Sequence, residues 1–181
     1  MGSKGLLFTH GSVQGAFVIN LERRLDDRGY FSRLWCVDEL QSEGLLGRIA
    51  QINTGVSWRK GTLRGMHFQT APHQEVKVVR CVRGAVFDVV VDLRPDSSTY
   101  RGWMGVELTA ENSKLMYVPE GCAHGYQTLA DDTELIYLTS TPYAQGSANG
   151  VRFDDPTFAI EWPAPVTVIS HQDRTWPDYI V

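Results

Sequence analysis

Apolar, β-branched and aromatic residues gather along this chain in short runs separated by glycine, proline and charged residues. Runs of that kind favour strands over helices, because branched side chains fit a pleated surface and so few positions cannot carry a helical face. Strands are expected over residues 16–19, 30–37 and 49–56, then over 76–82, 85–93, 103–108, 114–118, 126–129 and 134–139. Only Arg83 and Gly84 separate residues 76–82 from 85–93, a spacing that predicts a tight hairpin. One short helix is expected with Asp38 as its N-cap. Leu40, Leu45 and Leu46 would supply a partial apolar face, and Gly44 and Gly47 an end. Beyond Tyr143, four prolines together with Trp162 and Trp176 describe an irregular tail packed over the rest. Many short strands, little helix and no internal repeat predict an all-β sandwich or barrel.

Composition narrows the function classes. At 181 residues and 43% hydrophobic content the chain suits one well-buried domain spanning residues 1–181. Its 21 acidic and 17 basic residues are interspersed and give a net charge of −4, which is not the footprint of a nucleic-acid binder. An anionic ligand must therefore be met by locally gathered arginine and lysine. Cys36, Cys81 and Cys122 are an odd set at irregular spacing, which argues against a disulfide framework and for a reducing compartment. All three read best as small buried apolar residues, with Cys122 the one considered as a nucleophile. No apolar run approaches the roughly 20 residues of a membrane span, and the start lacks the pattern of a signal peptide. A cytoplasmic protein with no membrane partner is the expectation.

The chemistry centres on two glycine-flanked histidines, in Leu63-Arg64-Gly65-Met66-His67-Phe68-Gln69 and in Val118-Pro119-Glu120-Gly121-Cys122-Ala123-His124-Gly125. The second stretch resembles the Pro-x-Gly-x-x-His motif of metal-binding cupin barrels. In the first, Gln69 stands where a second histidine ligand would be needed, and glutamine is a poor ligand for zinc or iron. His67 and His124 supply two good ligands, and His73 and Glu75 would have to complete the set, so no metal or other cofactor is expected. A histidine without a metal can act as a general base if a carboxylate orients it and a cation holds the charge that develops on the substrate. Candidates are Asp173 and Asp88 for the carboxylate and Lys77 for the cation. Asp88 sits among Val86, Phe87, Val89, Val90 and Val91, where a carboxylate is costly unless paired; a structural ion pair and a direct role are both open to it.

Taken with residues 82–94, 105–112, 154–156, 160–163 and 169–173, these motifs resemble the dTDP-4-dehydrorhamnose 3,5-epimerase family from about Phe17 to Asp173. The resemblance implies a cupin-type jelly-roll β-barrel with short peripheral helices, metal-free and homodimeric. Its implied substrate is a nucleotide-diphosphate-linked 4-keto-6-deoxy sugar, inverted at C3, C5 or both. By resemblance His67 is the base, Asp173 its orienting carboxylate, Tyr137 the proton donor on the other face and Lys77 the group at the enolate oxygen. Arg28, Gln51, Asn53, Arg64 and Tyr143 match nucleotide or diphosphate contacts, and His124 lines the active end of the barrel. One departure stands out: Tyr30-Phe31-Ser32-Arg33 follows Gly29, so Arg33 replaces the family's usual glutamate near the nucleotide. An acceptor has become a donor there, which implies that Arg33 bears on nucleotide preference. Alternatives are a nucleotide-sugar 3,4-ketoisomerase, a metal-dependent cupin oxygenase and a sugar-binding barrel without catalysis.

Overall fold

A computed structural model describes residues 5–180. Its strands are β1 (Leu6–His10), β2 (Phe17–Leu21), β3 (Arg24–Asp26), β4 (Gly29–Phe31), β5 (Gln51–Ser57), β6 (Thr62–Gln69) and β7 (Lys77–Arg83). They continue with β8 (Ala85–Asp92), β9 (Trp103–Thr109), β10 (Leu115–Val118), β11 (Cys122–Thr128), β12 (Thr133–Thr139), β13 (Ala148–Gly150) and β14 (Val168–Ile169). Two short helices, α1 (Val37–Ser42) and α2 (His171–Thr175), lie outside the sheets. One sheet runs β1-β2-β10-β7-β12-β5 and the other β13-β6-β11-β8-β9, while β3 and β4 form a separate ribbon. The neighbours along both sheets are antiparallel; β14 joins β6 in parallel.

Alternation along the strands divides the buried residues into three groups. Val79, Cys81, Val86, Val90, Leu108, Met116 and Leu135 fill the space between the sheets. The next residues along β7 and β8 point the other way: Val78 packs with Ile19, Leu40 and Tyr117 beneath α1, and Val89 and Val91 pack with Val151, Phe158 and Trp162 of the C-terminal tail. Both sheets are thus covered on their outer faces, which is why β7 and β8 read as nearly unbroken apolar runs. Asp88 shares the inward face of Val86 and Val90.

Several expectations are corrected. β7 and β8 do not form a hairpin: β7 pairs with β10 and β12, β8 with β9 and β11, and Arg83-Gly84 carries the chain from one sheet to the other. The segment 30–37 is strand only to Phe31. Of its aromatics only Trp35 packs against α1, in the apolar group of Leu40, while Tyr30 and Phe31 are exposed on the β3–β4 ribbon. The N-cap of α1 is Cys36, without a side-chain bond, and Asp38 lies in the first turn, where a negative charge favours the helix dipole. The tail is more ordered than its prolines suggest, since it supplies β13, β14 and α2.

One buried charge anchors the loop after β8. Asp92 has no exposed surface, and its carboxylate accepts from Arg94 Nε and Nη2 (both 2.8 Å), Ser97 Oγ (2.5 Å) and Thr99 Oγ1 (2.7 Å). Burial pushes its pKa up, but these donors outweigh burial and hold it at about 2. Because the folded value lies below the unfolded one, the stabilisation is present above pH 4 and lost as pH falls through about 2. Asp92→Asn should therefore cost on the order of 2 kcal/mol at neutral pH. In urea titrations the gap between parent and variant should close as pH falls from about 4 to about 2.

Candidate active site

The two sheets enclose an open cavity of about 500 Å³. From the first sheet, β5 lends Gln51 and Asn53, β7 Lys77 and Val79, and β12 Leu135, Tyr137 and Thr139, each set at the two-residue spacing of one strand face. From the second sheet, β11 lends His124 and Tyr126, and β6 lends Arg64, His67 and Gln69. Arg64 and His67 are three residues apart and would face opposite ways in a regular strand. A bulge corrects this: His67 is opposite His124 but Arg64 is opposite Tyr126, so β6 carries one residue more than β11 between them. Gly65 makes the bulge possible, with φ of +131° and a position where a Cβ would lie 2.5 Å from the Cα of Gly125.

Each cavity histidine is held by a buried aspartate. His67 Nε2 lies 2.6 Å from Asp173 Oδ1, and Asp173 Oδ2 accepts the Gly65 N–H at 3.3 Å. Ser170 caps α2 by accepting the Asp173 N–H at 3.0 Å, which fixes the backbone that presents the carboxylate. Burial raises the pKa of Asp173, but the hydrogen bond and charge of His67, the Gly65 amide and Ser170 together bring it below the ordinary carboxylate value. Since an ionised carboxylate can only accept, Nε2 of His67 carries the hydrogen and Nδ1 keeps a lone pair for chemistry. His124 Nε2 lies 2.8 Å from Asp88 Oδ2, so the carboxylate predicted to need a partner has one. The two imidazoles differ in access: the His67 side chain is 44% exposed, that of His124 only 11%.

Lys77 Nζ lies 3.1 Å from Glu75 Oε1 and donates to the His67 carbonyl at 3.4 Å, which places an ammonium beside the backbone of His67. Gln69 is fully engaged: Nε2 donates to Glu75 Oε2 (3.1 Å) and the His73 carbonyl (3.0 Å), and Oε1 accepts the Ala144 N–H (2.6 Å). His73 is exposed and contributes only its backbone. Among the described residues no three His, Cys, Asp or Glu side chains are grouped to hold a metal ion. At the mouth, Arg64 donates to Ser57 Oγ (3.2 Å) and the Val56 carbonyl (3.1 Å), and Gln51 Oε1 accepts the Tyr143 N–H (2.8 Å).

Two expected binding residues lie elsewhere. Arg28, at the exposed turn between β3 and β4, pairs with Asp26 at 2.6 Å. Arg33 pairs with Glu39, whose other oxygen accepts the amides of Gly5 (2.9 Å) and Leu6 (2.8 Å). Arg33 thus closes a clamp around the start of β1 and does not line its own chain's cavity.

The sequence profile of the dTDP-4-dehydrorhamnose 3,5-epimerase family matches residues 10–180. The chain belongs to this family. It is 41% identical over 172 residues to the dTDP-4-dehydrorhamnose 3,5-epimerase of Methanothermobacter thermautotrophicus, covering 93% of this chain and 92% of that one. The crystal structure of the Elizabethkingia anophelis 3,5-epimerase superposes with a TM-score of 0.94 at 32% identity over 97% of each chain. ChmJ, a 3'-monoepimerase from Streptomyces bikiniensis solved with dTDP-quinovose, gives a TM-score of 0.84 at 34% identity, covering 92% and 85%. These neighbours share the cupin-type jelly roll that the family resemblance implied, and the family is one of isomerases.

Sequence reasoning missed Tyr126, Phe68, Gln172 and Trp176 as cavity residues. Tyr126 was legible from its position two residues after His124 on the same strand face, and burial raises its hydroxyl pKa. Gln172 and Trp176 could not be placed without the helix that contains the first and is capped by the second. The nucleophile considered at Cys122 is ruled out by its surroundings: the thiol lies outside the cavity, and burial pushes its pKa up to about 12, as it pushes Cys81 to about 11. At pH 8 a thiol with a pKa near 11 is roughly one part in a thousand thiolate. Iodoacetamide should therefore leave both unmodified in the native protein while labelling them fully in denaturant, as peptide mass mapping would show.

Proposed function

We infer that the protein is an epimerase of a nucleotide-diphosphate 4-keto-6-deoxy sugar, working by proton abstraction and redelivery through an enolate. The observation that carries this reading is the placement of His67 and Tyr137 on opposing sheets of one cavity, so that a sugar ring lying between the sheets meets the imidazole on one face and the phenol on the other. The 4-keto group acidifies the hydrogens on C3 and C5. Nδ1 of His67 takes one, and the bonding pair moves through the new carbon–carbon double bond to leave an enolate oxygen at C4. Lys77 stabilises that oxyanion, which in a water-poor pocket is worth far more than in solution. When the carbonyl re-forms, the Tyr137 hydroxyl gives its proton to the same carbon from the opposite face, which inverts it. Asp173 keeps His67 in the tautomer this needs and accepts the proximity of the imidazolium. His124, backed by Asp88, lines the same end. Gln51, Asn53, Arg64 and Tyr143 at the mouth take the nucleotide and diphosphate, arginine through its planar fork of donors.

The reaction is tested by incubating the protein with dTDP-, CDP- and GDP-4-keto-6-deoxy sugars in deuterated water and reading C3 and C5 by NMR. Deuterium at both carbons is expected of a double epimerase and at one carbon of a mono-epimerase, and absence of exchange with every nucleotide would sink the reading. His67→Ala should abolish exchange, a loss of more than about 10²-fold. Tyr137→Phe should still exchange protons but deliver few to the opposite face.

The working form in this proposal is a homodimer. Arg28 matches a nucleotide contact yet sits on a ribbon away from its own cavity, and Leu25, Tyr30 and Phe31 of that ribbon are exposed, as is Ile52 on edge strand β5. Apolar residues so displayed fit a second copy, whose cavity would receive Arg28. Arg28→Ala and His67→Ala should each be poor alone. Mixed and allowed to exchange subunits they should regain activity, because the heterodimer contains one site with both residues intact; no regain would rule out the shared site.

A further inference from the structure

α2 is a single turn of helix, yet it carries the carboxylate on which His67 depends. It is tied on its upstream side by β14, which pairs with β6 through Val168–Thr62 and Ile169–Leu63. On its downstream side stands Trp176, the C-cap of α2 and a wall of the cavity. Its indole is seated on Gly150, the residue of β13 that pairs directly with His67. The seat is tight: a Cβ on Gly150 would lie 2.3 Å from Trp176 Cε2, 2.4 Å from its Nε1 and 2.8 Å from the Met66 carbonyl. The backbone conformation of Gly150 is not one that demands glycine, so the requirement is for space. The indole N–H is buried and has no hydrogen-bond partner among the described residues, so shape alone holds the ring there.

We propose that Trp176, wedged into the space left by Gly150, is a positioning residue that holds α2, and with it Asp173, in hydrogen-bonding register with His67. This rests on the proposed role of His67 as the base, and it adds a reason for the hydrogen bond to persist. A 2.6 Å contact from a one-turn helix tolerates little drift, and small displacements of a catalytic pair are costly: about 1 Å can lose 10²-fold in rate.

The test uses the full chain and two readouts, one of which needs no substrate. In proton NMR, the imidazole N–H of His67, assigned by its loss in His67→Ala, should appear downfield and protected in the parent through its bond to Asp173. Trp176→Ala should lose that resonance and lower kcat by at least about tenfold, with KM nearly unchanged because the nucleotide contacts lie elsewhere. Trp176→Phe, which keeps an aromatic wedge and forfeits no hydrogen bond, should retain the resonance and most of the rate. If Trp176→Ala does not fold, Gly150→Ala decides, since it drives the indole from its seat and should also lose the resonance. An unchanged resonance and kcat in a folded Trp176→Ala, or an unchanged resonance in Gly150→Ala, overturns the proposal. Loss of the resonance in a protein that exchanges no protons of any 4-keto sugar would support the positioning role while refuting the epimerase reading.

Discussion

A carboxylate placed beneath a protein surface must be answered by donors, because leaving it alone costs several kcal/mol. Asp173 and Asp88 pose this requirement behind two neighbouring histidines of one cavity, and much of the second sheet is arranged to meet it. The edge of β6 is covered by β14 over its first residues and by β13 over its last, which leaves the middle of the strand open. Met66 closes part of that gap by exchanging backbone bonds with Val151. The remaining amide, that of Gly65, is given to Asp173. One carboxylate thus satisfies an edge-strand donor and orients His67 in the same gesture, and the bulge that leaves the amide free is the one that turns both Arg64 and His67 inward.

The two dyads are chemically alike and electrostatically different. Asp173 receives two donors, whereas only one oxygen of Asp88 has a partner among the described residues. His124 is walled in, and His67 is open to the cavity. In the proposed reaction an imidazole that gives and takes protons with a bound ring needs that access, and one that only presents a polar edge does not. Lys77 adds a further asymmetry by lying beside the backbone of His67 while Glu75 neutralises part of its charge. The ammonium is therefore held in place without leaving a bare cation in the pocket, and its remaining donors face the cavity.

The sequence made legible whatever depends on local spacing. Strands close to β5, β7, β8, β9, β10 and β12 follow from branched and aromatic runs bounded by turn residues, and the carboxylate at Asp88 announced its need of a partner by standing in a valine run. What escaped depends on partners distant in the chain. A two-residue link between apolar runs reads as a hairpin unless the sheet to which each run belongs is known, and at Arg83-Gly84 the runs go to different sheets. β6 did not declare itself as a strand because its bulge at Gly65 breaks the alternation that a reader looks for. Nor did α2, since one turn of helix between prolines has no periodicity to detect, and Trp176 is meaningful only when Gly150 is seen beneath it.

At Arg33 the expected reversal of hydrogen-bonding character meets a partner within the chain. Exchanging an acceptor for a guanidinium does reverse hydrogen-bonding character, and in isolation that reversal would alter which base could bind. The chain supplies Glu39 to absorb it, and Glu39 spends its second oxygen on the amides that begin β1. The charge at position 33 is therefore paired within the chain, although its side chain stays partly exposed. In the proposed epimerase nucleotide choice would fall to the groups at the mouth, where Gln51 and Asn53 offer amides that can donate or accept, Tyr143 an exposed ring for stacking and Arg64 a guanidinium for the diphosphate. In the proposed dimer the partner's ribbon would add Arg28 and two aromatics to that set. A base would then be recognised between two chains while proton transfer stays within one, which separates what selects the substrate from what turns it over.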